Sequence, residues 1–494
     1  MTTPSPSSPT VLQALRSPRR LTTEVLAGAV TTLALIPEVI SFSVIAGVDP
    51  KVSLVASVVL AISMTVLGGR PAMITAAAGA VALVVAPLVH THGVEYLLPT
   101  VILAGLIQIV FGLAGLARIM RFIPRSVMIG FVNALGILIF TAQLQHVLDV
   151  PTAVYPLFAL TLVVVLVLPR LTKAVPAPLV AIVLVTAIAM IAHLQVPTVG
   201  DQGDVSGGLP GITPLEVPLT LETLQLIAPT ALSVAFVGLM ETLLTAKLVD
   251  DLTDTRSEKG RESWALGVSN ILAGFWGGIA GCAMIGQTVM NVKLGRARTR
   301  ISTLIAGVLL LVLVTSLSDL MEQIPMAALA AVMMVVAVST VDFHSVRPTT
   351  LRRMPVSETL VMVTTVVVVV ITHNLAVGVA AGALLAMVLF ARRVARVTTV
   401  QRTTGADGTH YSVQGPLFFG SSNDLVEQFD YAADTAHGGP VSVDFTAAQI
   451  WDASTVAVLD SISTKYADHG LEVEFTGLDE RSSTFHGRLT GTLN

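Results

Sequence analysis

A chain of 494 residues that is 53% hydrophobic and 12% charged, with a mean hydropathy of +0.80, is too apolar to fold as a soluble protein of this size and reads as a polytopic membrane protein. Its net charge of -4, with basic residues scattered among short loops, argues against a nucleic-acid partner. The single cysteine, Cys282, excludes an internal disulfide and a thiolate metal cluster.

Residues 1–20 form a polar Pro/Ser tail ending in Arg16, Arg19 and Arg20. The apolar run that follows is too long for the core of a signal peptide and carries an acid, Glu38, so the tail reads as cytoplasmic. Within LALIPEVISFSV, Pro37 and Glu38 fall near the middle of this first span, about 25–47. A carboxylate at that depth costs about 2.5–3.5 kcal/mol on insertion scales, so such groups usually face a cavity and handle ions, protons or substrate. The alternative is a neutral acid hydrogen-bonded between helices. Pro37 lacks an amide donor and is expected to break the helical ladder beside a pocket.

Further spans are expected near 52–68, 72–91, 94–116, 126–148, 155–171 and 177–195. The Pro- and Gly-rich stretch from Pro197 to Glu222, with Asp201, Asp204, Gly207 and Gly208, reads as an external loop joining two halves. A second set follows near 227–249, 264–281, 284–297, 301–317, 325–341, 357–373 and 375–395. Counting seven and seven places Arg70, Arg118, Arg121, Arg125, Arg170, Lys173, Arg256, Arg298, Arg300, Arg347, Arg392, Arg393 and Arg396 on one side of the bilayer. The positive-inside rule makes that side, and both termini, cytoplasmic.

Two spans differ from the rest. GGRPAMITAAAGAV (Gly68–Val81) and GGIAGCAMIGQTVMN (Gly277–Asn291) are interrupted by glycine, proline and small polar residues, and each is the third span of its half. Interrupted segments in matching positions point to a binding site built from broken helices. With Thr75 and Gly79 near one half-helix start and Gly286–Thr288 near the other, two positive helix ends would converge and attract an anion. Close packing through small residues is the competing explanation. Glu241 lies mid-span in the first span of the second half, as Glu38 does in the first, and either flanks the same cavity or accepts from a neighbour such as Asn270 or Gln287. Asn133, Gln143, Gln145 and His146 read as interhelical hydrogen-bonding groups.

Composition changes after Arg396. Residues 399–494 read as a small cytoplasmic α/β domain with strands at 410–413, 441–445 and from Leu471, and a helix near 454–469. No span, loop or tail assembles a nucleophile, a base and an oxyanion site, so an enzyme is not expected, and neither a cofactor nor a metal is called for.

These residues resemble the sulfate permease (SulP, solute carrier 26) anion transporters over nearly the whole chain. IPEVISFSVIAGVDP is similar to the family's first span, and the stretch from AFVGLMETLLTAK through GFWGGIAG to its eighth and ninth. IGQTVMNVKLGRARTRIS resembles its tenth span, and GPLFFGS with VDFTAAQIWDAST resembles its C-terminal STAS domain.

The resemblance implies a transport domain over 21–397 made of two inverted seven-span repeats, about 21–196 and 223–397. These form a core that carries substrate and a gate against which it moves, with a STAS domain over 399–494. It implies an anion site formed by Ala76, Ala77, Ala78, Gly79, Glu241, Gly286, Gln287 and Thr288, proton coupling at Glu38, a homodimer, and a cytoplasmic protein partner for the STAS domain. Animal exchangers carry a basic residue where Gly286 and Gln287 stand, so helix dipoles supply the positive potential here, which favours a symporter. Ala453 replaces the serine that follows the aspartate in related phosphorylatable domains, which leaves Ser454 as the regulatory hydroxyl.

The expected function is therefore proton-coupled symport of a small anion by an elevator-like movement. A dicarboxylate such as fumarate is favoured, with sulfate or bicarbonate behind it, and the setting is the cell's inner (plasma) membrane. A Na⁺-coupled bicarbonate carrier, a nucleobase:proton symporter, an anion exchanger and a membrane sensor with STAS output are the alternatives.

Overall fold

The computed structural model describes residues 10–115, 123–172, 176–203, 211–218, 220–406, 408–422 and 425–491. Arg118, Arg121, Lys173, Asp204, Gly207 and Gly208, which entered the charge and loop reading, lie outside the described residues. The chain divides into two compact units, Met1–Ala383 and Leu384–Asn494.

In the first unit the first seven membrane segments are α1 (Pro18–Ala46), α2 (Pro50–Leu67), β1 (Thr75–Ala77) running into α3 (Gly79–His92), α4 (Leu97–Leu113), α5 (Arg125–Ala142), α6 (Val154–Leu171) and α7 (Ala177–Ile191). The second seven are α8 (Leu221–Thr253), α9 (Lys259–Gly274), β2 (Gly281–Ala283) running into α10 (Ile285–Val289) and a π turn (Met290–Leu294), α11 (Arg300–Ser316), α12 (Met326–Thr340), α13 (Val356–Thr372) and α14 (Leu375–Ala395). Among the described residues, seven helices are long and apolar enough to cross a membrane, and five shorter apolar helices complete most of the rest. Prolines set many of the starts: Pro18 and Pro50 occupy the first helical position, and Pro124, Pro176, Pro325 and Pro355 each immediately precede a helix. A missing N–H costs nothing there, because the first amides of a helix have no internal partner.

The structure corrects the expected break at Pro37, since α1 runs through it without interruption. One lost backbone bond is tolerated where neighbouring helices pack around the freed carbonyl. A cavity does adjoin the proline, but Glu38 is not among the residues that line it. Leu33, Ile36 and Pro37 line an apolar cavity of about 230 Å³ against α7 and the end of α11.

The helices sort into two packed groups. In one, α4 lies on α9 and α8 just as α11 lies on α2 and α1, and α3 meets α8 as α10 meets α1. In the other, α13 lies on α5 as α6 lies on α12. Exchanging the two halves thus reproduces the packing within each group, as expected for inverted repeats with a core and a gate. Between the groups, α1 packs on α7 and α12, and Pro229, Leu232 and Phe236 of α8 line a cavity of about 410 Å³ together with Ala376, Val377 and Ala380 of α14.

Close approach within the core depends on small residues. A Cβ on Gly105 of α4 would stand 2.6 Å from the Gly267 carbonyl of α9, and one on Gly267 would overlap the Gly105 carbonyl. Gly112 and Gly260 repeat the contact seven residues along each helix. Such glycine seams let backbones touch where no hydrophobic drive between helices exists. Gly267→Leu is therefore expected to cost about 3 kcal/mol by overpacking. It should lower the melting temperature in detergent, and wild-type melting would contradict the packing.

The second unit contains the end of α14 and a four-stranded sheet ordered β3 (Thr399–Gly405), β4 (Gly408–Leu417), β5 (Val441–Ile450), β6 (Val473–Thr476). The β3–β4 pair is antiparallel and the other two are parallel, with α15 (Tyr431–His437), α16 (Ala453–Asp468) and α17 (Glu480–Leu489) between and after the strands. The strand β3 was not expected, because TVQRTTG is polar and mostly exposed at the sheet edge and has no apolar alternation to detect.

Asp434 ties this unit together. Its buried carboxylate accepts from Tyr411 and Tyr466 hydroxyls, both at 2.7 Å, and from Arg402 Nε at 2.9 Å. Burial alone would raise its pKa, but the two hydroxyls and the guanidinium hold it below the ordinary carboxylate range. The stabilisation is therefore complete at neutral pH and is lost as pH falls through that depressed value. Asp434→Ala leaves two buried hydroxyls and Arg402 without their acceptor. A cost of about 3 kcal/mol is expected, toward the low end for a broken buried pair because Arg402 is partly solvated. Hydrogen exchange across β4, β5 and α16 in the full chain should accelerate. Unchanged protection would count against the tether.

Candidate functional site

The two broken spans meet. Strands β1 and β2 pair antiparallel with Thr75 opposite Ala283, Ala76 opposite Cys282 and Ala77 opposite Gly281. Each strand runs directly into a helix, so Gly79 and Ile285 begin α3 and α10 at the two ends of one short ladder. The first amides of both helices lack internal acceptors and carry partial positive charge. From Met73 to Val89 and from Gly277 to Val292 the chain has no basic residue, so within these two segments the positive character comes from the helix-start amides.

Neighbouring spans fix this ladder. Asn270 of α9 accepts from Gly281 N at 2.8 Å and donates to Gly281 O at 3.2 Å and Gln108 Oε1 at 2.9 Å. Ala283 N donates to Thr242 Oγ1 at 3.0 Å, and Ala77 N to Ser57 Oγ at 3.1 Å. Ile74 N donates to Thr288 Oγ1 at 3.0 Å, which crosses from one broken span to the other.

The predicted residues occupy different positions around it. Ala76, Ala77 and Ala78 are buried in the ladder, and Gly79 is held against Phe42, whose ring a Cβ would contact at 2.5 Å. Thr75 carries a buried hydroxyl with no partner among the described residues, a free donor at the start of the ladder. Gln287 and Thr288 are buried. Gly286 is exposed, and a Cβ there would meet nothing within 4 Å, so this helix start opens onto space.

Glu38 is half-buried and its carboxyl faces the side-chain amide of Gln287. Glu241 is buried on the other side and accepts from the Cys282 thiol at 2.5 Å. Both acids thus bear on the second broken span, Glu38 on its helix start and Glu241 on its strand. Of the neighbours considered for Glu241, Asn270 serves Gly281 and Gln287 faces Glu38.

Sequence reasoning missed a frame at the expected cytoplasmic end. Arg70 donates to Asp250 Oδ1 at 3.0 Å and to Thr253 and Thr255, while Glu262 accepts from the backbone amides of Gly69 and Arg70. Arg300 donates to the carbonyls of Thr65 and Gly68 at the end of α2. Glu24 accepts from Arg298 N at 2.8 Å and Thr299 N at 3.0 Å at the start of α11. Some of the charges counted for topology therefore also hold the turn that precedes β1. Their signal was available, because Glu24 and Glu262 are acids close to the ends of apolar runs.

In the second unit Ser454 is exposed in the first turn of α16, whose cap Asp452 accepts from Thr455 N at 3.1 Å and Phe419 N at 2.6 Å.

Comparison with known proteins matches residues 21–158 and 147–365 to the sulfate permease family and 398–484 to the STAS domain. The chain is 48% identical over 461 residues to "Putative sulfate transporter YbaR" of Bacillus subtilis (strain 168), covering 93% of this chain and 95% of that one. It is similar to the solved transmembrane domain of a cyanobacterium bicarbonate transporter, BicA, at 25% identity and TM-score 0.66, covering 73% of this chain and 97% of that one. The structure of murine Slc26a9 shares the fold at TM-score 0.81 and 16% identity, covering 95% and 87%. These matches describe transporters and not enzymes, and the chain belongs to the sulfate permease family and carries a C-terminal STAS domain.

Proposed function

We propose that this anion transporter couples uptake of a small anion to protons, with Glu38 as the coupling group and the β1–β2 ladder as the anion site. The observation that carries the reading is the placement of Glu38 against Gln287 beside the open start of α10. An anion held by helix ends at Gly79 and Gly286, and by the free Thr75 hydroxyl, would leave the core with net negative charge. A proton on Glu38 removes that residue's own charge, so the loaded core crosses the apolar barrier with one negative charge fewer and at lower cost. Thr75 to Gly79, Gly286, Gln287 and Thr288 are the anion-binding residues in this account, with Glu241 shaping β2 through Cys282.

The division into two internally packed helix groups supports an elevator-like movement, in which one group shifts against the other. Among substrates we place sulfate first, because a relative 48% identical is named for it, with bicarbonate and dicarboxylates such as fumarate to be compared directly. Sodium is the alternative coupling ion. Uptake that follows a sodium gradient at fixed pH would replace the proton.

The same reading takes the protein as a homodimer in the inner (plasma) membrane with both termini cytoplasmic. Single-cysteine labelling from each side tests the orientation, and mass determination in detergent tests the dimer. Ser454 is proposed as the regulatory hydroxyl, acting through a cytoplasmic partner of the STAS domain. A phosphate there would sit at a helix start, where its charge is favoured. Uptake and partner capture that do not respond to Ser454→Asp would remove that role.

A further inference from the structure

The last membrane helix carries a stripe that no part of the transport mechanism uses. Leu384, Val388 and Arg392 recur every four residues along α14 and so lie on one face, and Arg396 follows at the same spacing in the turn just past the helix end. Leu384 and Val388 are 60% and 64% exposed, as expected of side chains that meet lipid tails, and Met387 and Phe390 beside them are exposed as well. The apolar run then stops abruptly at the two arginines.

Those arginines open a cavity of about 540 Å³ within the second unit, whose other walls are Thr398, Phe419, Ser421 and Gln428. Neither guanidinium has an ion-pair partner among the described residues. Thr398 and Ser421 are held in place, because both hydroxyls donate to Pro416 O, at 3.0 and 2.9 Å. Phe419 is 61% exposed at the rim, and Trp451, packed against Phe418, is 57% exposed close by. Arginines at the end of a spanning helix lie at the headgroup level of a bilayer, where long basic side chains reach the interface. Paired guanidiniums at that level suit a phosphate diester.

We infer that this cavity holds the headgroup of an anionic phospholipid, with the phosphate on Arg392 and Arg396 and an acyl chain along Val388 and Leu384. A free phosphate ion would satisfy the arginines but would not use the apolar half of the stripe. The occupied site bears on the STAS domain, since Phe419 N donates to Asp452, the cap of the helix that carries Ser454. The inference does not depend on which anion or coupling ion the transporter uses.

The full-length protein would be titrated in detergent with phosphatidylglycerol and with phosphatidylcholine, and bound lipid read by native mass spectrometry. Phosphatidylglycerol should bind at least tenfold more tightly than phosphatidylcholine. At about a fivefold effect per basic residue, the double variant R392Q/R396Q should lose about thirty-fold in phosphatidylglycerol affinity. Arg393→Gln, one residue off the stripe, should change it little. Equal loss with Arg393→Gln would show diffuse attraction and overturn the site. Displacement by millimolar inorganic phosphate or glycerol phosphate would assign the cavity to a soluble ion instead. Should the double variant melt below the wild type, a photoactivatable phosphatidylglycerol on the unaltered protein decides the matter. Label within 384–396 supports the site, and label confined elsewhere contradicts it.

Discussion

Glu38→Gln in proteoliposomes is expected to equilibrate its anion without accumulating it. In the wild type, one proton per anion turns each unit of pH gradient into about 1.4 kcal/mol, or about tenfold accumulation. Glutamine keeps the shape and hydrogen-bonding capacity toward Gln287 but cannot gain or lose a proton in this range, so the accumulation ratio should fall to about one. Downhill flux is expected to persist, because the helix starts at Gly79 and Gly286 and the Thr75 hydroxyl are unchanged. The contrast between flux and accumulation separates a coupling residue from a structural one. A merely structural acid would lower both together or neither.

The second large effect concerns the two glycines at matching half-helix starts, whose surroundings are opposite. At Gly286 a side chain would enter open space, so Gly286→Leu should fold and melt like the wild type yet reduce uptake at least tenfold by filling the anion position. At Gly79 the added atoms would collide with the Phe42 ring, a contact internal to the core, so Gly79→Leu should lower the melting temperature as well as uptake. Normal uptake by Gly286→Leu would mean that the space beside α10 is not on the anion's path. Normal melting of Gly79→Leu would mean that α1 and α3 are less tightly joined than they stand here.

How far the sequence reached follows from the length scale of each feature. Spans were legible because each is a long apolar run, and prolines at helix starts kept most boundaries within a few residues. The exceptions are informative. The α8 helix reaches from Leu221 to Thr253, well past the expected 227–249, because it continues through polar residues such as Glu222 and Asp250 that end an apolar run without ending a helix. The paired broken spans were visible as Gly/Pro interruptions, yet their three-residue strands are too short for any periodicity to show, and their pairing is a contact across about two hundred residues. For the same reason the Cys282 thiol on Glu241 and the Arg70 clamp on Asp250 were out of reach. Pro37 misled because proline's local rule assumes a solvated helix, whereas packed neighbours kept α1 continuous.

The most direct test of the proposed coupling is uptake of labelled sulfate, fumarate and bicarbonate, run side by side in proteoliposomes of the wild-type protein. An inward proton gradient would be imposed at fixed sodium, then a sodium gradient at fixed pH. Proton-coupled symport predicts that at least one of these anions accumulates about tenfold per pH unit and that sodium has no effect. Accumulation that follows sodium, or uptake that equilibrates regardless of pH, would contradict it.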